Sequence, residues 1–241
     1  MMLFSAPLSS KAYANTTTFL SGQDKSFYSE MDTLDKEFSE EIPLDKIVSI
    51  NKVDHSFCSP TSSTNYTGSE YGPLGYSGEI RPQKMSLYIA VSHISESRYK
   101  IYTLTTWKTT TLQTMTDLLA IAWGGGHTLI SDSMKVEFTN GYVRYPVGTL
   151  KDVSPNIGVS RAFSTSRYIP GERISYDAKK ITYVAIIEAH GRGTSNVVAG
   201  YAHKIFGVTG IGASFSDGKV SFGAGLDVLM DIFTNYTYFY H

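Results

Sequence analysis

The residues of this chain with the widest chemical range are six histidines: His55, His93, His127, His190, His203 and His241. A catalytic zinc helix needs two of them at i and i+4, and a structural zinc site needs clustered Cys and His. No pair stands four apart, and neither H-E-x-x-H nor C-x-x-C occurs. His93, His190 and His203 fall on expected strands that can converge, but spacing alone does not bring them together. No metal site and no cofactor is expected. Nucleophilic chemistry is no better supported. There is no G-x-S-x-G elbow, and Ser92-His93 and His190 with Ser195 are proximities any serine-rich chain contains. Cys58 is the only cysteine, so no internal disulfide can form, and no activating motif surrounds it. The chain reads as a non-enzyme before it reads as a hydrolase with an unrecognised site, the residues to test then being His127 and His190.

Two further groups can bind rather than react. Gly124-Gly125-Gly126-His127 can aim backbone N–H groups at an anion, and is equally a sharp corner after a buried strand. Tyrosine and tryptophan rings can stack on sugar faces, and the candidate binding set is Trp107, Trp123, His127, Tyr142 and Tyr145. The competing role for such rings is core and cross-strand packing.

These side chains need a scaffold, and from Met85 onward the pattern is β. Tyr99–Trp107 alternates β-branched and aromatic residues. Leu118–Trp123 is apolar on both faces and predicts a buried strand. Asn140-Gly141 and Asp217-Gly218 predict hairpin turns, because both dipeptides tolerate positive φ. Met85–Val91, Ile157–Phe163, Ile181–Glu188, Val197–Phe206 and Val208–Phe215 complete the set with Tyr236–Tyr240. No βαβ alternation is present, so the expected fold is mainly β, an antiparallel sandwich or barrel-like domain. Three segments are expected: 1–14, 15–84 and 85–241. Residues 15–84 read as an acidic arm with a Gly/Pro/Ser linker. Phe27, Met31, Leu34 and Phe38 recur at helical spacing there, predicting a short helix over 26–40 that Pro43 stops.

Within the β segment, the run from Ile205 to Leu226 holds six glycines and two charges, Asp217 and Lys219, both at the turn. Val220, Phe222, Ala224 and Leu226 alternate with Ser221, Gly223 and Gly225. Alternating hairpins of low charge are found in proteins that insert strands into membranes, and also in glycine-bent core strands.

Composition sets the setting. The 241 residues carry 18% charged side chains, against about 25% in an ordinary soluble domain, and 17 tyrosines and 21 glycines. Net charge is −1, which gives no drive toward nucleic acid. No run of about 18 apolar residues follows residue 14, so no membrane-spanning helix is expected. Residues 1–14 end in Ala12-Tyr13-Ala14, the small-residue pattern of signal-peptide cleavage, after a short apolar stretch. A positive n-region is missing before Lys11, which a start lying further upstream accounts for. A secreted, extracellular protein is therefore expected.

The stretch 115–132, with Thr116-Asp117-Leu118-Leu119-Ala120-Ile121-Ala122-Trp123-Gly124-Gly125, and Gly200-Tyr201-Ala202-His203 near the end resemble uncharacterised secreted proteins of Gram-positive bacteria, bacilli and relatives. The resemblance covers about half the chain. It implies export and carries no activity. The expected function is a secreted non-catalytic β protein that binds a cell-surface or cell-wall component, with a wall or surface glycan as partner and oligomeric state open. The alternative is a membrane-active secreted factor that uses the glycine-rich hairpin.

Overall fold

Branching at Cβ and bulky rings crowd a helical backbone and fit a pleated one, and here they recur at period two. In a computed structural model of the chain, the structure describes residues 17–18, 46–58, 82–109, 116–141, 143–144, 149–169, 171, 174–206, 210–224 and 229–241. Fifteen strands run through them: β1 (Thr17–Thr18), β2 (Ile47–Cys58), β3 (Pro82–Ser95), β4 (Arg98–Trp107), β5 (Thr116–Trp123), β6 (Thr128–Phe138), β7 (Val143–Arg144), β8 (Thr149–Ser154), β9 (Gly158–Ser164), β10 (Ser166–Ile169), β11 (Ile174–Glu188), β12 (Thr194–Phe206), β13 (Ile211–Ser216), β14 (Lys219–Ala224) and β15 (Leu229–Tyr240). Among the described residues there is no α-helix.

The strands form a sandwich with every pairing antiparallel. One sheet has the order β1-β2-β3-β4-β11-β6-β7, with β10 also on β11, and the other has the order β15-β12-β5-β9-β8. The expected mainly β fold is thus the observed one. Between the sheets lies the main core: Leu87, Ile89, Ile101, Val136 and Ile181 from the first sheet meet Leu119, Ile121, Trp123 and Val197 from the second. Each fully buried aliphatic or aromatic side chain there contributes about 1.5–3 kcal/mol. The first sheet also buries its other face, around Tyr88, Tyr102, Leu104 and Val184. This is why β4 is buried almost continuously rather than alternately; β5, in the second sheet, is buried likewise because its outer face carries the cluster of Leu118, Ala202 and Ile211.

Two asparagines join the sheets at one side. Asn51 Nδ2 donates to the carbonyl of Tyr236 at 2.8 Å, and Asn235 Nδ2 donates to Asn51 and Leu87 carbonyls at 3.1 and 2.9 Å. They tie β15, an edge of the second sheet, to β2 and β3.

The hairpin at Asn140-Gly141 forms as expected: Gly141 has φ 78°, and β6 pairs β7 through Val136↔Arg144. The first sheet also draws a strand from before residue 85. β2 falls inside the segment read as arm and linker, yet pairs with β3 from Ile47↔Ser92 to Cys58↔Pro82. Its Ile-Val-Ser-Ile start is too short a signal to outweigh the acidic composition around it. The expected helix over 26–40 and the cleavage site at residue 14 lie outside the described residues.

Candidate functional site

β13 and β14 stand apart from both sheets as a two-stranded hairpin. Its register pairs like with like. Ile211↔Ala224, Ala213↔Phe222 and Phe215↔Val220 alternate with Gly212↔Gly223 and Ser214↔Ser221. One face is therefore apolar and the other is glycine and serine, with no charge on either before Lys219 at the turn. The apolar face lies on the outer side of the second sheet, where small residues make room. A Cβ built at Gly158 would fall 2.3 Å from the Phe215 ring, and one at Gly200 would fall 2.6 Å from Val220. Leu118, Ala202 and Ile211 form a small apolar cluster beneath the hairpin, with Phe222 against it.

Few polar contacts hold it there. Ala213 N–H donates to Asp152 Oδ2 of β8 at 2.8 Å. At the tip, Gly125 N–H donates to Asp217 Oδ1 at 3.0 Å, and Asn196 Nδ2 donates to the Gly218 carbonyl at 2.8 Å. Gly218 adopts φ 61°, and a Cβ there would overlap Asn196. The anion that the glycine corner binds is thus the chain's own carboxylate.

The corner is shaped by His127, which is wholly buried. Its Nδ1 accepts the His190 N–H at 3.1 Å, so the ring proton sits on Nε2 and donates to Ser195 Oγ at 2.9 Å. Ser195 then donates to His241 Nε2 at 3.0 Å. Trp123 Nε1–H caps the His127 carbonyl at 2.7 Å, and the His241 ring meets that of His127 edge-on at 4.4 Å. Burial first, then the imidazoles of His241 and His190, hold His127 down to about 4, against the pull of Asp217. In this tautomer His127 has no lone pair for the Ser195 proton, which removes it as a base for that hydroxyl.

A second polar knot is fully buried under β5 and β12. Asp117 accepts from Tyr201 Oη, from His203 Nδ1–H at 2.8 Å and from Lys204 N–H at 3.0 Å. Burial and the Asp117 carboxylate push the Tyr201 phenol well above its ordinary range. Trp107 stands edge-on to Tyr201 and His203, at 5.9 and 5.2 Å. Asp117 is no part of the candidate site set that the sequence offers. The signal that could have found it is an acid opening an uninterrupted apolar strand.

The candidate binding set therefore divides. Trp107 and Trp123 are 4% and 0% exposed and belong to the core, so their rings offer no surface platform. The structure places His127 in the hairpin corner, not on a ligand face. Tyr142 and Tyr145 lie outside the described residues. The three histidines whose strands left convergence open have separate surroundings: the His93 ring packs tilted against Tyr99, His190 Nε2 meets Thr128 Oγ1, and His203 binds Asp117. Among the described residues no group of three His, Cys, Asp or Glu side chains is placed to hold a metal. No helix of the described residues is long and apolar enough to cross a membrane. Among the described residues the exposed aromatics are Tyr168 on β10, at 58% exposure, and Tyr236, Tyr238 and Tyr240, a row on β15 at 44%, 53% and 70%.

No family model and no curated protein matches this chain. Among solved structures, one described as "Pore forming protein" overlaps 77% of this chain and 92% of its own, at 4% identity and a TM-score of 0.32, a likeness too slight to carry an argument.

Proposed function

We propose that the protein is a membrane-active factor whose β13–β14 hairpin leaves its seat and enters a bilayer. The observation that carries this reading is the register. β12 and β15 pair as far as Phe206↔Leu229, and the hairpin resumes with Ile211↔Ala224. Four residues separate these pairs on each side, 207–210 and 225–228. The hairpin is thus in phase with the last β12–β15 pair, which lies beyond the bulge between Lys204 and Phe206, and pairing of the two short stretches would join them into one long hairpin. Each arm beyond Phe206 and Leu229 would then hold ten residues, 207–216 and 219–228. A membrane-spanning strand needs about 9–11 residues.

The sequence of the second arm suits that environment. Val220, Phe222, Ala224, Leu226 and Val228 alternate in sequence with Lys219, Ser221, Gly223, Gly225 and Asp227, so an extended arm would put them on opposite sides. In lipid every backbone group must be paired, so two strands alone cannot span. Bilayer barrels begin at about eight strands, which requires at least about four copies of this chain. The test is dye release from phosphatidylcholine/phosphatidylglycerol vesicles by the chain with Cys58→Ser. Asn196→Cys with Gly218→Cys, placed where the tip touches β12, locks the hairpin when oxidised. Release that is blocked by the lock and restored by reductant supports the reading; release indifferent to the lock sinks it.

A second reading, a non-catalytic protein that binds a surface or wall glycan, is favoured by the exposed row Tyr236, Tyr238 and Tyr240. Rings presented at one spacing along a strand can stack on successive sugars. Pull-down on purified wall polymer, lost when all three become alanine, would favour it over membrane entry.

A further inference from the structure

The hairpin's tip rests on the corner where, among the described residues, His127, His190 and His241 gather. The Asp217-Gly218 turn is held by Gly125 N–H and by Asn196, and Gly124 N–H bonds the Asn196 carbonyl at 3.0 Å. A Cβ at Gly125 would lie 2.6 Å from Ser195 Oγ and 2.9 Å from the His127 ring, so the corner and the imidazole are packed without slack. We propose that this corner is an acid-sensitive latch on the hairpin, in which protonation of His127 opens the Gly124–His127 loop and frees the Asp217-Gly218 turn. The proposal rests on the reading that the hairpin is the moving part, and it names what controls it.

The chemistry follows from the hydrogen bonds. Both His127 nitrogens are engaged in a way only the neutral ring satisfies. A second ring proton goes on Nδ1, where it faces the His190 N–H, donor against donor. The same charge faces His190 from the end of β11 and His241 from the end of β15, which repel it, and Asp217 from the hairpin turn, which attracts it. Ser195 on β12 can still accept from Nε2. The balance disfavours the charged ring, as the lowering to about 4 reflects.

The sign is then fixed. A histidine with its affinity for protons depressed in the closed corner contributes closure fully above its ordinary value near 6.5. That contribution is lost as pH falls from there toward 4. Acid therefore releases the tip, and the Asp217 attraction limits the size of the effect.

Hydrogen exchange of the full chain without lipid, corrected for the intrinsic rate at each pH, tests the latch apart from membrane entry. Between pH 7.5 and 4.5, protection of Ile211–Ala224 relative to β11 should fall about tenfold to a hundredfold. His127→Gln keeps a donor and an acceptor but cannot titrate, and its loss should stay under about threefold. His241→Ala, which removes one repelling ring, should give an intermediate loss. Unchanged protection in the wild type, or equal loss in His127→Gln, overturns the latch. Dye release from phosphatidylcholine/phosphatidylglycerol vesicles is read in parallel. Exposure of the hairpin without release would leave the latch standing and sink the membrane reading. Release at pH 7.5 with exchange flat across pH would do the reverse.

Discussion

At the scale of single residues, the most constrained group is Asp117, a carboxylate with no exposure whose hydrogen-bond donors come from Tyr201, His203 and the Lys204 backbone. A buried carboxylate is tolerated only when its lone pairs are used, and these are. Removing it leaves an imidazole, a phenol and an amide facing apolar neighbours. Asp117→Ala should cost about 3–5 kcal/mol, seen as a lower urea midpoint at unchanged slope. A loss under about 1 kcal/mol would show that water reaches the knot and satisfies it. His127 is the contrasting case. It too is buried with both ring nitrogens bonded, but its partners are the His190 backbone N–H and the Ser195 hydroxyl, with the His241 ring edge-on against it, so its protonation state carries the corner's shape.

At the scale of elements, the hairpin β13–β14 is the part that lies on a sheet without pairing to it. Its partners are small side chains and glycines, not interdigitating large ones, and its polar ties are few. Gly200 is the key of that seat, since a Cβ there collides with Val220 and Phe222. Gly200→Val should cost about 1–3 kcal/mol as overpacking while leaving the two main sheets intact. Limited proteolysis should then cut first between Ile211 and Ala224. Unaltered resistance would mean that β12 yields and the hairpin stays docked. β15 shows the opposite balance. Phe233, Asn235, Thr237 and Phe239 are buried, Phe239 against Tyr99 at 4.7 Å, while the tyrosines between them face outward.

For the whole molecule, the two sheets and the hairpin differ in what they bury. The sandwich core is continuous and needs no disulfide, consistent with a single cysteine in 241 residues. A stable body with one lightly seated amphipathic part suits a factor that acts away from the cell that makes it, which is the setting we propose. Expressed in a Gram-positive host, the exported protein should carry a mature N-terminus at Asn15 by mass spectrometry. Exported protein that retains Met1 or Met2 would remove the cleavage reading of residues 1–14 and leave the hairpin argument untouched.

The sequence by itself determined the strands and turns, because alternation and positive-φ dipeptides act over a few residues and need no partner to be read. Tyr99–Trp107, Ile181–Glu188 and the turns at Asn140-Gly141 and Asp217-Gly218 stand where the pattern puts them. The low-charge hairpin and its alternation were legible for the same reason. What only the tertiary structure decided is where each face points. Trp107 and Trp123 have the chemistry of a binding platform, and burial makes them core. β2 enters the first sheet through long-range pairing with β3, which local composition hides. His127, His190 and His241, spread over more than a hundred residues, meet because β6, β11 and β15 have ends that coincide in space, and no spacing rule encodes that. The register that the hairpin shares with Phe206↔Leu229, the last β12–β15 pair, is likewise a property of pairing, visible only once both ladders are formed.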